Sequence, residues 1–302
     1  MSEEQTAPPP QAPGEGLPDD ANDLRGFHFR RLLGKPGTWI ATALFVLAAG
    51  IAGAVYLGAA IGAGAAGAAL IVSLLLVLAI ADQRSEGDFF AVYAGQRGME
   101  LSGRGSLPPM TPLLCKGDDR YAEHAFNGPL AEGVDGVLAL YTYEEETSDG
   151  KGGREKNYYH YTVGLVEVPE CVAQVPELLC HRKSGFRVFE GLEDSFRKTR
   201  QRVQLESAAL DEHYEIFSLK VQDQVWLRRL FSPTFIVWLG EEAPKKFAFE
   251  LVDGTLCCFV SGHKKSAAEL DAIRAATATV ARRLREEALE TGATSSAPGQ
   301  PR

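Results

Sequence analysis

The chain has 302 residues, of which 45% are apolar and 24% charged, and its formal net charge is −9 at pH 7. This length and apolar content are enough to bury a core, so a wholly disordered protein is excluded. The acidic balance also argues against nucleic-acid binding, because the phosphate backbone repels a negatively charged domain. We therefore predict no nucleic-acid partner.

The chain begins with a polar segment and a basic one. Residues 1–24 are rich in proline, glycine and acids, and we predict a disordered tail because they cannot bury enough apolar surface to offset the entropy of ordering. Residues 25–37 form a basic juxtamembrane segment. Four cations of this segment are predicted to lie beside lipid headgroups: Arg25, Arg30, Arg31 and Lys35. They would belong either to a short interfacial helix at 27–33 or to an ordinary positively charged flank of the membrane segment.

An apolar run from Trp39 to Ala81 contains no Asp, Glu, Lys, Arg or His. One straight helix of this length would measure about 65 Å, roughly twice the thickness of a bilayer core. The glycine- and alanine-rich stretch 58–67 is the natural break. We therefore predict a two-helix transmembrane hairpin over 38–82, with spans Thr38–Gly58 and Gly64–Ala81.

Small residues recur every four positions through the first predicted span and into the turn: Gly50, Ala54, Gly58 and Gly62. This spacing lets helix backbones approach closely in lipid, within the hairpin or between two chains. The alanine- and glycine-rich composition also produces such spacings by chance. Because neither span carries a charge, the hairpin is predicted to be an anchor rather than a transport pathway.

The charges flanking the hairpin predict its orientation. Basic residues precede the first span, Arg84 follows the second, and the turn is uncharged. Positive flanks stay in the cytoplasm, so we predict a multi-pass protein of the bacterial inner membrane with both termini cytoplasmic and the lipid bilayer as a partner. The odd number of cysteines and the lack of a CxxC motif indicate free, mostly buried thiols in a reducing compartment: Cys115, Cys171, Cys180, Cys257 and Cys258.

Residues 86–290 are predicted to form a cytoplasmic α+β domain with a mainly antiparallel sheet, because the clear connections are hairpins and no βαβ alternation occurs. The clearest hairpin lies at 246–262, where Asp253-Gly254 separates two apolar runs. Further strands are predicted at 136–146, 156–169, 178–183, 202–207 and 213–219. The first two of these form a second hairpin with a long connection.

Three helices are predicted in this domain. One covers 222–231. Thr234–Leu239 fits either a helix or a strand, and we choose a helix because Ser232 precedes a proline. The third is a long amphipathic C-terminal helix that starts with a Ser266/Glu269 capping box, ends at Gly292 and precedes a disordered tail, 291–302. Five residues at helical spacing form a stripe along one face of this helix: Leu270, Ile273, Thr277, Val280 and Leu284. The stripe favours packing against the core over a coiled coil or a partner-binding face.

Local motifs predict no catalytic, cofactor-binding or metal-binding residue. Cys180-His181 places a thiol beside a base, but neighbouring strand residues face opposite sides. The six histidines show no metal-binding spacing. Two charged groups are more typical of solvated surface than of a cation or phosphate site, namely an acidic loop (Glu144, Glu145, Glu146 and Asp149) and a basic patch (Arg197, Lys198, Arg200 and Arg202).

Residues 203–258 resemble a family of uncharacterised bacterial membrane proteins with two N-terminal transmembrane helices and a cytoplasmic α+β domain. The resemblance rests on a strand, a short loop with Asp223, a helix ending in Leu230–Pro233, and the following hairpin. It implies a membrane-anchored architecture. It implies no catalytic residue.

The sequence therefore predicts a membrane-anchored cytoplasmic module that binds another protein or a ligand. Two alternatives stay open. One is a membrane-tethered enzyme whose site is assembled from residues distant in sequence. The other is an accessory subunit that docks into a larger membrane complex through the small-residue stripe.

Overall fold

A computed structural model describes residues 36–57, 59–148, 154–183, 199–205 and 207–295. The chain divides into two compact units, one ending at Phe89 and the other beginning at Phe90. The division falls inside a helix. The predicted tail 1–24 and basic segment 25–37 lie outside the described residues, apart from the last two positions of the latter.

The first unit contains helix α1 (Pro36–Leu57) and most of helix α2 (Ala59–Gln96). The prediction that Gly58–Gly67 forms a turn is wrong from Ala59 onward, because these residues are helical. Alanine has the highest helix propensity, and it outweighs the cost of about 1 kcal/mol for each interspersed glycine. Helix α2 continues past Ala81, the predicted end of the second span, to Gln96, so the helix end does not mark that boundary. Within the described ranges, none of the helices meets the combined length and hydropathy required of a transmembrane span.

The second unit is built on a nine-stranded sheet in which every neighbouring pair is antiparallel, in the order β1-β2-β3-β4-β9-β8-β5-β7-β6. The strands are β1 (Glu100–Ser102), β2 (Asp119–Ala131), β3 (Val134–Ser148), β4 (Arg154–Glu167), β5 (Glu177–Arg182), β6 (Arg200–Val203), β7 (Tyr214–Leu219), β8 (Ala248–Val252) and β9 (Thr255–Ser261). The predicted α+β class with a mainly antiparallel sheet is confirmed. Strands β1 and β2 were not predicted.

Helices occupy the connections and the C-terminus: α3 (Pro112–Cys115), α4 (Ala208–His213), α5 (Gln224–Leu230), α6 (Pro233–Val237) and α7 (Ala267–Ser295), with a 3-10 turn at Pro169–Cys171 and a π-helical turn at Trp238–Glu242. The helix chosen for Thr234–Leu239 is confirmed, because the Phe235 amide donates to the Ser232 hydroxyl at 3.4 Å. The predicted stop at Gly292 is wrong, since α7 includes residues 291–295; the rest of the predicted tail lies outside the described residues.

The predicted hairpin at Asp253-Gly254 is confirmed as the β8–β9 turn. Both residues have positive φ, 47° and 83°, as a two-residue turn of this type requires. The chain therefore reverses within two residues, and this sets the register in which Glu250 lies opposite Cys257.

The sheet has two covered faces, which we call the helix face and the loop face. Helix α7 lies on the helix face so closely that a Cβ at Gly164 would be 2.2 Å from the Thr277 hydroxyl oxygen. All five residues of the predicted α7 stripe are buried there, so the predicted core packing is confirmed. The opposite face is covered by the chain around α3. Leu113 and Leu114 pack there against a core that includes Tyr141, Tyr161 and Phe259.

Candidate functional site

Three side chains that can bind a cation meet on the helix face, near the start of α7. They are Glu123 on β2, His160 on β4 and His263 in the loop between β9 and α7, and one donor atom of each lies within 4.8 Å of the other two. We call them the His-Glu cluster. Thr142 on β3 lies among them, directly opposite His160 in the β3–β4 ladder. Four separate segments of the sequence therefore build this site.

A β-bulge brings Glu123 to this face. Ala122 lies opposite Tyr141, whereas His124 lies opposite the next residue, Leu140, so Glu123 is the extra residue on β2. A regular strand alternates its side chains, and a bulge interrupts that alternation and turns a side chain to a new direction. The Glu123 carboxylate can therefore reach the Thr142 hydroxyl, with Oε1 at 3.3 Å from Oγ1.

A second hydroxyl holds the loop that carries His263. Thr162 Oγ1 donates to the Gly262 carbonyl at 2.9 Å and accepts from the Lys264 amide at 2.8 Å. The Gly262 amide also donates to the His160 carbonyl at 2.7 Å. These three bonds secure the residues on both sides of His263. Its backbone is thus fixed relative to β4.

The hydrogen bonds of His263 decide which ring nitrogen carries a proton. Nε2 lies 3.1 Å from the Tyr141 carbonyl, which can only accept, so Nε2 is the N–H donor. Nδ1 then faces the Glu123 carboxylate, with Oε2 at 3.6 Å. Burial lowers the pKa of His263 despite the opposing attraction of Glu123. The neutral imidazole is the favoured form at neutral pH, with its lone pair on Nδ1.

The His160 ring lies at the mouth of the cluster. Its centroid is 4.7 Å from that of His263, and its Nδ1 is 2.9 Å from Thr142 Oγ1. The His160 side chain is exposed, whereas Thr142 is buried. The cluster thus presents two imidazoles and one carboxylate at a position that solvent can reach. Such groups can transfer protons or bind a metal ion.

No protein-family model matches the chain, and no curated protein matches it at a significant level. Among solved structures, the crystal structure of the mycobacterial trehalose monomycolate transport factor A is similar to it. The TM-score is 0.42 at 10% sequence identity, and the match covers 68% of this chain and 94% of that chain. At this level the similarity identifies neither a family nor an activity.

A second histidine–glutamate pair lies on the loop face and is closed to solvent. His181 Nε2 is 2.9 Å from Glu250 Oε1, although the two atoms are not aligned as a hydrogen bond. The other carboxylate oxygen of Glu250 accepts from the Leu113 amide at 2.9 Å. The prediction that His181 faces away from Cys180 fits this arrangement, since His181 lies against Glu250.

The predicted membrane residues fall partly outside the described chain. The proposed lipid-headgroup residues all do: Arg25, Arg30, Arg31 and Lys35. Within the small-residue stripe, Gly50 is half-buried, Ala54 is exposed and Gly62 is helical, while Gly58 lies outside the described residues. The stripe and the flank therefore stay predictions.

The described members of the two charged groups are engaged in ion pairs. The predicted acidic loop is wrong at Glu144–Glu146, which belong to β3 and pair with Lys156, Arg154 and Lys116; Asp149 lies outside the described residues. In the basic patch, Arg200 binds Glu177 and Arg202 lies 3.6 Å from Glu215. Arg197 and Lys198 are outside the described residues.

The cysteines are free, and only Cys115 is exposed. Burial raises the pKa of Cys171 to about 12 and that of Cys180 and Cys257 well above the ordinary value. Buried thiols of this kind are inert rather than nucleophilic.

Sequence reasoning did not identify the His-Glu cluster. His160 lies inside a correctly predicted strand, but its partners follow from strand order and from a bulge in a strand that was not predicted. Asp223, which the family resemblance singled out, has a local role instead. Its carboxylate accepts from the Val225 amide at 2.8 Å and caps α5.

An open groove of about 850 Å³ lies between α6 and α7. Phe235 and Trp238 stack along one wall with ring centroids 5.5 Å apart, and Arg282 and Glu286 line the other. Val237 projects at its edge and is 51% exposed. The groove places aromatic side chains beside Arg282, and aromatic residues and arginine are enriched in protein interfaces.

Proposed function

We propose that the protein is a membrane-anchored interaction module. In this proposal the segment 38–82 holds the chain in the bacterial inner membrane, both termini are cytoplasmic, and the second unit binds a partner there. The groove between α6 and α7 is the surface we assign to that partner.

The observation that carries the membrane part is the exposure of large apolar side chains along two consecutive helices. Burying one such side chain is worth about 1.5–3 kcal/mol, so a row of them in water is strongly unfavourable. A bilayer would remove that cost. The exposed residues are Leu44, Phe45, Leu47, Ile51 and Val55 on α1, and Leu70, Ile71, Val72, Leu74, Leu75 and Leu76 on α2.

Membrane fractionation of the full-length chain tests this attachment. We expect the chain to sediment with membranes, to resist a high-salt wash and to dissolve in detergent. The paired substitution Leu47→Arg and Leu75→Arg should release or destabilise it, because an arginine at the bilayer centre costs about 2.5–3.5 kcal/mol. Val221→Arg is the matched control, since Val221 is 90% exposed on the second unit. A wild-type chain in the soluble fraction without detergent would refute the proposal.

Thiol labelling tests the orientation. Cys115 is the exposed cysteine, so a membrane-impermeant maleimide should label it only after the cells are permeabilised. A Gly58→Cys variant should be labelled on intact spheroplasts if the segment crosses and returns. Labelling of Cys115 on intact spheroplasts would place the second unit outside. Protection of the new cysteine at 58 would indicate a segment that lies on the inner surface.

The partner surface is tested by Val237→Glu, which adds a charge at the edge of the groove. Proteins that cross-link to the wild-type chain in cells should be lost from this variant and kept by Val221→Glu, which adds the same charge to an exposed valine elsewhere. Equal cross-linking by both variants would exclude the groove as the binding surface.

A further inference from the structure

We propose that Glu123, His160 and His263 bind a divalent first-row transition-metal ion, with Zn²⁺ the ion that fits best. This inference is independent of the membrane proposal. Two imidazoles and one carboxylate are ligands that Zn²⁺ accepts, and a site with three protein ligands leaves a position for water or substrate. Ca²⁺ and Mg²⁺ fit less well because they prefer oxygen ligands.

The hydrogen bonds around His263 are those of a metal-binding histidine. Such a histidine donates its second ring nitrogen to a carbonyl or carboxylate, which orients the ring and leaves the other nitrogen for the metal. His263 does this through Nε2 and the Tyr141 carbonyl. Its lone pair on Nδ1 then faces the Glu123 carboxylate at 3.6 Å. Two electron-rich atoms facing each other repel, and a cation between them turns the repulsion into attraction.

Thr142 contacts all three ligand residues, since its Oγ1 also lies 3.3 Å from Nε2 of His263. Its hydroxyl can accept from His160 Nδ1 at 2.9 Å and donate to Glu123 Oε1 at 3.3 Å. This assignment uses one hydroxyl proton and leaves Nε2 of His160 and Oε2 of Glu123 as the ligand atoms. Thr142 would thus be a positioning residue that does not touch the metal.

Metal binding requires the ligand side chains to turn toward one another. Ligand atoms around a tetrahedral Zn²⁺ lie about 3.3 Å apart, given bonds of roughly 2.0–2.1 Å. One donor atom of each side chain lies within 4.8 Å of those of the other two, and Nδ1 of His263 is 3.6 Å from Oε2 of Glu123. His160 is exposed and the Glu123 side chain is 40% exposed, so both can turn toward His263. The backbone around His263 is already held by the Thr162 bonds.

Nearby charges determine how strongly the His-Glu cluster should bind a metal ion. The positive charge of Lys265 acts on His263 and makes cation binding there less favourable, whereas the negative charge of Glu123 makes it more favourable. A single carboxylate against a divalent ion leaves the site with net positive charge, and water or an anionic ligand in the open position would offset it. We therefore expect a site that exchanges its metal and keeps a labile position.

Titration of the full-length chain with Co²⁺ tests the proposal. The chain is purified in detergent without a polyhistidine tag, and binding is followed by visible absorption, which is intense only for low-coordinate cobalt. We expect one Co²⁺ per chain, displaced by Zn²⁺. His160→Ala and His263→Ala should each weaken binding by at least about 100-fold, and Thr142→Val by about 10-fold, as outer-sphere partners of metal ligands do.

Two variants serve as controls. His213→Ala removes an exposed histidine elsewhere and should bind Co²⁺ as the wild type does. Glu123→Gln keeps the size of the side chain and should weaken binding even if an alanine variant fails to fold. The proposal is overturned if the wild-type chain binds no more Co²⁺ than the His160→Ala/His263→Ala double variant, or if His213→Ala loses as much as the cluster variants. Unchanged binding by Glu123→Gln would also overturn it.

Discussion

The second unit contains two histidine–glutamate contacts in opposite settings. His181 and Glu250 lie under α3 on the loop face with almost no exposure, 3% and 0% of their side chains. His263 and Glu123 lie on the helix face at 10% and 40% exposure, with the exposed His160 beside them. The same two residue types thus form a closed contact in one place and an accessible one in the other.

Solvent access, rather than residue type, therefore separates a structural pair from a binding site. A buried pair cannot lose one partner without leaving a polar group unsatisfied in the core. An accessible pair can, because water replaces the missing partner. The buried contact should therefore dominate stability, and the open one should matter for binding.

The largest expected effect is from Glu250→Ala. Removing the carboxylate leaves the buried Leu113 amide without its acceptor and takes away the group that faces His181 at 2.9 Å. An unsatisfied buried polar group costs about 1–3 kcal/mol. Chemical denaturation of the full-length chain measures the loss in the free energy of unfolding. The paired change His181→Leu with Glu250→Met should cost less, because no imidazole then faces the lost carboxylate and methionine fills its volume, although the Leu113 amide still lacks its acceptor. A loss under about 1 kcal/mol for Glu250→Ala would contradict a structural role for this buried contact.

Alkylation of Cys257 gives a local readout of the same change. Cys257 lies opposite Glu250 in the β8–β9 ladder, and burial, followed by the nearby carboxylate, raises its pKa well above the ordinary value. It should be unreactive in the wild type while Cys115 reacts. Glu250→Ala should speed its modification by opening this part of the sheet.

An intermediate effect is expected at Asp271, which accepts from Arg97 Nε at 2.6 Å and from the Tyr93 hydroxyl at 3.0 Å. Its side chain is 34% exposed, so Asp271→Asn should cost about 1 kcal/mol rather than the cost of a buried charge. Asp271 thus lies between the two histidine–glutamate contacts in its setting, because it is strongly paired yet partly solvated.

The loss of stability in Asp271→Asn should depend on pH. Burial raises the pKa of Asp271, but the hydrogen bonds and charge of Arg97 outweigh burial and hold it below the ordinary value. The unfolded chain therefore binds the proton first as the pH falls, so the stabilisation is present above about pH 4 and is lost below it. Denaturation curves of wild type and Asp271→Asn should converge at acid pH. A constant difference between pH 3 and 7 would contradict this.

The smallest expected effect on stability is from Glu123→Gln. Because water reaches this side chain, the free energy of unfolding should change by no more than about 0.5 kcal/mol, whereas cobalt binding should fall sharply. A thermal melt without metal and the cobalt titration together measure the two quantities. A large loss of stability without metal would make the cluster structural, like the buried pair.

The sequence predicted the elements whose signals are local. The β8–β9 hairpin followed from Asp253-Gly254 and α7 from its apolar stripe, because turn chemistry and helical periodicity act within a few residues. Strand β2 had no such signal. It contains no valine, isoleucine or threonine, and it includes Gly128 and Pro129, so its pairing with β3 rather than its own propensity makes it a strand.

The uncharged apolar segment, the free thiols and the positions of most strands and helices follow from the amino-acid sequence alone. Only the tertiary structure decided which side chains meet. Glu123, His160 and His263 are far apart in the chain, and they come together through the register of β2, β3 and β4, a bulge and the loop after β9. The physical reason is that register and bulges follow from burying whole faces of the sheet, a condition that no short stretch of sequence encodes.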